Sequence, residues 1–191
     1  MQHCTAFCGT RCIASGSLIE VIKQVKVNID NGEALSVLIF DDVSSELIEL
    51  DFRGTMEDVL SRLGNPAALD HRDVTTPRGP GRPKLGVVPR EVTLLPRHWE
   101  WLNSQPGGAS VALRKLVEEA RRMNSDKDQL RTAQGVLYRF MSAMAGDLLG
   151  FEEASRALFA GNSEIFNEIV AVWPVDILSH LRRLSGNAFP I

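Results

Sequence analysis

Residues 90–122 read REVTLLPRHWEWLNSQPGGASVALRKLVEEARR, and their order decides the fold. Residues 90–95 are rich in β formers and predict a strand. Pro96 stands at a helix's first position, where its missing N–H costs nothing, so a helix follows over 96–105 with Trp99 and Leu102 on one side. Pro106-Gly107-Gly108 breaks that helix. Ser110 is placed to cap a second helix over 111–123, whose apolar face carries Leu113, Leu116, Val117 and Ala120. Strand, helix and helix thus follow one another within 90–124.

On the N-terminal side, residues 3–8 and 11–15 predict two short strands around Gly9-Thr10. Ser17 caps a helix that begins at Leu18 and carries Val21, Ile22, Val25 and Ile29 at helical spacing, until Asp30-Asn31-Gly32 stops it. Residues 35–40, LSVLIF, are an apolar run of strand length with Ser36 as its one polar residue; Leu47, Ile48, Leu50 and Phe52 predict a further strand. Thr55 caps a helix over 56–63. Residues 1–64 therefore form a ββαββα module. Between 65 and 89 lies a basic linker too dense in Pro and Gly for helix or central strand. Residues 125–191 are helical: Ala133, Leu137, Phe140 and Met144 share one face, further helices run over 151–160 and 163–172, and Pro174 opens the last. The fold class is α+β.

The 191 residues suit one large or two to three small domains, and 44% apolar with 24% charged content excludes general disorder and fibrous classes. The net charge of −3 hides a segregation. Residues 1–74 carry 6 basic and 12 acidic side chains, 75–131 carry 11 and 6, and 132–191 carry 4 and 6. The positive character lies on one segment, as for a local acidic-partner or nucleic-acid surface. No run reaches the ~20 apolar residues of a membrane helix, and the N-terminus lacks the pattern of a secretory leader. The expectation is a cytoplasmic protein with no membrane partner.

Enzyme signals are poor. His3, His71, His98 and His180 are scattered, and no Walker loop, nucleophile elbow or dinucleotide fingerprint is present. No catalytic residue, metal site or cofactor is expected. Cys4, Cys8 and Cys12, beside His3, lack the fourth ligand and second pair of a zinc site. Their even spacing puts structural thiols on one strand face. Asp41-Asp42 reads as a solvated turn.

The strand–helix–helix layout after a basic arm resembles a ribbon-helix-helix module. Val92-Thr93-Leu94-Leu95-Pro96-Arg97 is similar to that family's strand, and Gly108-Ala109-Ser110 to its inter-helix turn. The resemblance implies a homodimer whose two strands pair and enter the DNA major groove. It implies Ser110 at a phosphate on the second helix's N-terminus, with Arg114 and Lys115 near phosphates. If Leu95 packs inward, Arg90, Val92 and Leu94 point outward, and of these only Arg90 suits a base edge. Outward Val92 and Leu94 instead indicate that a partner covers both strand faces. Trp99 and Trp101, two residues apart, cannot share a helix face, so one is left for a partner chain. Val92, Leu94, Trp99 and Trp101 are accordingly expected at the dimer interface. Arg78-Gly79 and Gly81-Arg82-Pro83-Lys84 are similar to an AT-hook split by Pro80-Gly81, which puts Arg78, Arg82 and Lys84 at a minor groove or at phosphates. The competing reading is a protein–protein interaction or assembly module that binds no DNA.

The blocks at 81–122 and 138–161, the latter YRFMSAMAGDLLGFEEASRALFAG, together with TAFCGTRCIASG and LIFDD, resemble the bacterial domain-of-unknown-function family 2239 over nearly the whole chain. That resemblance implies a bacterial protein and no assigned activity.

Overall fold

The computed structural model describes residues 3–33, 36–63, 88 and 90–190. Among these the chain forms three strands and seven α-helices: β1 (His3–Cys8), β2 (Arg11–Ser17), α1 (Leu18–Asp30), β3 (Val37–Asp41), α2 (Met56–Leu63), α3 (Pro96–Ser104), α4 (Gly108–Ala145), α5 (Phe151–Phe159), α6 (Ser163–Val170) and α7 (Val175–Leu184), followed by a 3₁₀ turn (Ser185–Asn187). This is the α+β class expected. Two compact units result, one of residues 1–68 with 126–191 and one of 69–125.

The first unit is built around β1, the middle strand of an antiparallel sheet ordered β2-β1-β3. Gly9, with φ of 56°, takes the left-handed first position of the two-residue loop joining β1 to β2. A bulge between Ala6 and Phe7 shifts the register. Cys4 and Ala6 pack with Val21 and Val25 of α1 and with Ile39. Phe7 belongs to a second, larger cluster with Phe40, Leu137, Phe140, Leu158, Ile177 and Leu181. The sheet is thus covered on both faces, which is why four consecutive residues of β1, Cys4 to Phe7, are buried.

Local signals fix the helix starts. Glu20 reaches back to Ser17, accepting from its N–H at 3.0 Å and its Oγ at 2.7 Å, and Asp58 does the same for Thr55 at 2.8 and 3.0 Å. Asn162 caps α6 by accepting from the Ile165 amide at 3.1 Å.

Four expectations are corrected. Residues 47–52 are no strand: beyond a single bridge from Phe40 to Leu47 the segment leaves β3, although Ile48, Leu50 and Phe52 still pack toward the sheet's core. Residues 90–95 also form no strand, because their backbone pairs with no strand among the described residues. The second helix of the 90–124 block does not end at 123 but runs unbroken from Gly108 to Ala145. No Gly or Pro interrupts it between Ala109 and Gln134, and Asn124 and Thr132 turn their side chains onto its own carbonyls at Ala120 and Asp128. The three cysteines do not share a face, since Cys4 packs toward α1 and Cys12 against the other cluster. The hairpin turn and the bulge intervene between them.

Residues 1–64 and 125–191, separate segments by sequence, share one core through Phe140. Its ring lies 5.5 Å from Phe7 and 5.1 Å from Phe40. We expect Phe140→Ala to cost about 3–5 kcal/mol in chemical denaturation. Amide hydrogen exchange in β1 and α7 should accelerate together, and acceleration confined to the helices would contradict a shared core.

Candidate nucleic-acid interface

In the second unit the backbone enters α3 through Leu95, extended at φ −67° and ψ 149°, whose carbonyl accepts from the His98 and Trp99 amides at 2.9 and 3.2 Å. Pro96 takes the first position, as its ring requires. Leu102 is buried and Trp99 half-buried, while Trp101 is 52% exposed, so the two tryptophans do lie on different faces. The α3–α4 turn needs glycine. Gly107 has φ of 89°, and a Cβ there would stand 3.0 Å from the Val111 side chain.

Ser110 does not cap α4. The helix starts two residues earlier, at Gly108, so Ser110 sits exposed in its first turn. The amides of that turn are the ones a helix leaves without intrahelical partners, and they carry its positive end. Arg114 folds back over it, its Nε donating to the Ser110 carbonyl at 3.0 Å. Arg114, Lys115 and Arg122 line one shallow depression of about 740 Å³ with Glu118 and Glu119, three cations against two carboxylates.

Arg90, Arg114 and Lys115 are exposed, and none of them forms an ion pair with a described residue; the same is true of Arg97, Arg121 and Arg122. Arg78, Arg82 and Lys84 lie outside the described residues. Apolar side chains stand open on each element of the block: Val92 at 55% and Leu95 at 49% before α3, Trp101 on it, and Leu116, Val117 and Met123 on α4. Leu94, not Leu95, is the partly covered residue of residues 90–95. Arg97, Arg121 and Arg122 were not singled out by sequence; their density within 90–123 is the signal that could have found them.

The first unit holds a separate polar network whose members no sequence pattern links. His3 Nδ1 lies 2.8 Å from Asp42, and the Thr5 hydroxyl donates to the same carboxylate at 2.7 Å. Arg183 Nη2 donates to Thr5 at 3.2 Å and meets His180 Nδ1 at 2.6 Å. A guanidinium only donates, so Nδ1 accepts and the imidazole is neutral, with its proton on Nε2. His180 is 2% exposed against the rings of Phe7 and Phe140. Burial, and then the Arg183 charge, hold its pKa down at about 4. Burial also pushes the Cys4 thiol up to about 11, with Asp41 and Asp42 adding to the rise. Burial and then Asp176 raise that of Cys12. Both are thiols at neutral pH, without the nucleophilic form that redox or metal chemistry needs. Among the described residues no three His, Cys, Asp or Glu side chains stand where they could hold a metal ion, and no helix is long and apolar enough to cross a membrane.

The family described as an uncharacterized protein conserved in bacteria, DUF2239, matches residues 3–185, and the chain belongs to it. No curated protein and no solved structure matches the chain.

The buried imidazole makes stability pH-dependent with a defined sign. Above pH 6.5 His180 is neutral in both folded and unfolded chains, and its contribution is complete. Between pH 6.5 and 4 only the unfolded chain takes up the proton. Stability then falls by about 1.4 kcal/mol per pH unit, or about 3 kcal/mol in all. Urea unfolding from pH 7 to pH 4 should show His180→Phe losing markedly less stability than the parent chain. Equal acid slopes would exclude His180 as the cause.

Proposed function

We propose that this chain is a dimeric DNA-binding protein of the bacterial cytoplasm, a regulator rather than an enzyme, acting through its basic arm and the 90–123 block. One observation carries the reading: the block combines a set of unpaired cations with apolar side chains left open on all its elements. Its buried apolar side chains among the described residues are Leu102 and Ala112. A unit of that size needs more core than these provide. A second copy supplies it if Val92 and Leu94 of each chain face the partner. Pairing two copies of residues 90–95 gives their backbone the missing neighbour and sets Thr93 on the opposite, groove-facing side. Arg90 stands at the entrance of that ribbon. Arg114, Lys115 and the first-turn amide of Ser110 meet phosphates, and Arg78, Arg82 and Lys84 extend the contact along the duplex.

Charge supports this reading over purely nonspecific attraction. Residues 75–131 carry 11 basic side chains against 6 acidic, while the flanking segments are acidic, so the attraction is local. Fluorescence anisotropy on mixed and A·T-rich duplexes tests it. Counterion release predicts a slope of log K against log salt of about −0.9 per phosphate contact. The double substitution Arg82→Ala and Lys84→Ala should make that slope shallower by about 2. No binding at about 50 mM salt to either duplex would sink the proposal.

The exposed Trp101 favours a second reading, an assembly module without DNA. It predicts self-association that survives charge reversal at Arg82 and Lys84 and is lost in Trp101→Ala, with no DNA bound in any variant. Sedimentation equilibrium beside the anisotropy separates the two.

A further inference from the structure

The sheet of the first unit is left open along part of one edge. β3 is an edge strand. The Asp41 amide donates to the Glu46 carbonyl at 3.0 Å and the Ile48 amide to the Ile39 carbonyl at 2.8 Å, and there the ladder ends. In an antiparallel strand the backbone groups of alternate residues point to the same edge, so those of Val37 share the edge with Ile39. The Ile39 amide and both backbone groups of Val37 make no hydrogen bond to a described residue. On the facing wall the Leu50 amide and carbonyl are equally unpaired.

Between these walls lies a groove of about 790 Å³, bounded below by Lys26, Ile29 and Asp30 of α1. That volume falls within the range of ligand-holding clefts. The groove is apolar through Val37, Ile39, Ile48, Leu50 and Phe52. Its charges are unequal. Lys26 is bound to Asp30 and Arg53 to Asp51, which leaves Glu49 as the groove's carboxylate without an ion-pair partner among the described residues.

The unpaired backbone groups of Val37 and Ile39 along the strand edge, with those of Leu50 across the groove, are matched by another extended chain and by little else. We propose that this groove binds an extended basic peptide segment, which adds to β3 as a fourth strand, seats alternate apolar side chains against Ile48, Leu50 and Phe52, and sets a cation beside Glu49. The proposal is independent of the DNA reading, since it uses none of the residues of 69–125.

The probe is the capped heptapeptide Lys-Val-Thr-Val-Thr-Val-Lys, added to the full chain at about 1 mM, a concentration that populates weak complexes. Amide NMR should show the Val37 and Ile39 signals shifted and their hydrogen exchange slowed about tenfold or more. The same peptide N-methylated at alternate residues should do neither. Glu49→Lys, at an exposed position, should weaken binding about threefold at low salt while leaving the fold intact. Unchanged Val37 and Ile39 amides overturn the proposal. So does equal binding of the N-methylated peptide, which would mean apolar contact without strand pairing. Signals that move with protein concentration alone would make a second copy the occupant, and would overturn it as well.

Discussion

The fold depends on the packing of one aromatic group. Phe140 of α4 lies against Phe7 of β1, Phe40 of β3 and His180 of α7, with ring centroids 5.5, 5.1 and 4.4 Å away. All four side chains are at most 2% exposed. Edge-on and tilted pairings of this kind add to the area they bury. Their sequence positions, from the first strand to the last helix, hold both ends of the chain in one unit. The consequence for organisation is that residues 69–125 are an insertion within that unit's sequence. The polar network extends the same junction, with Arg183 joining Thr5 to His180 by hydrogen bonds on both sides.

Signals confined to a few residues were legible. Ser17 with Glu20 and Thr55 with Asp58 marked the starts of α1 and α2, and Pro96, Pro106-Gly107 and Pro174 marked the ends and beginnings of helices. What depended on partners was not. Ile48, Leu50 and Phe52 do pack on the core as apolar residues two apart can, but their apolar character says nothing about which strand accepts the hydrogen bonds. Residues 90–95 have the composition of a strand and no strand neighbour among the described residues. The length of α4 was readable in principle. Leu113, Leu116, Ala120, Met123, Lys127, Leu130, Gln134, Leu137, Met141 and Met144 step by three and four without a break. Lys127 and Gln134 disguise the stripe because they are polar, yet Gln134 is buried and donates to the Leu158 carbonyl at 2.8 Å. The network around His180 was not legible at all. Its i, i+3 pairing with Arg183 is local, but Thr5 lies 178 residues away.

For the candidate interface, the sequence reading misjudged the helix start by three residues. That error matters chemically. A capping Ser110 would spend its hydroxyl on the helix's own amides, whereas a first-turn Ser110 leaves both hydroxyl and amide for an outside acceptor. Arg114, anchored on the Ser110 carbonyl, brings a fixed positive charge to the same place. The cysteines illustrate the opposite case. Their clustering in sequence suggested shared chemistry, while the hairpin separates Cys4 from Cys12 and burial keeps both protonated.

The two units differ in how they satisfy their apolar residues, and the difference bears on function more than any single side chain does. In the first unit both sheet faces are covered by two clusters of buried side chains, beside which Val43, Leu149, Phe159 and Val175 stand exposed at the surface. In the second, each element leaves a large apolar side chain in water although the segment is the most basic of the chain. Apolar exposure of that extent is unfavourable by roughly 25 cal/mol per Å², and like charges drawn together add repulsion. Folding of an isolated chain relieves neither cost. On the proposed reading a second copy relieves the first and a polyanion the second, and the two act on different residues: Val92, Leu94, Trp99 and Trp101 for the copy, Arg114 and Lys115 for the polyanion. The proposed dimerisation and DNA binding are therefore separable by substitution, and together they would account for a segment that would be poorly stable by itself.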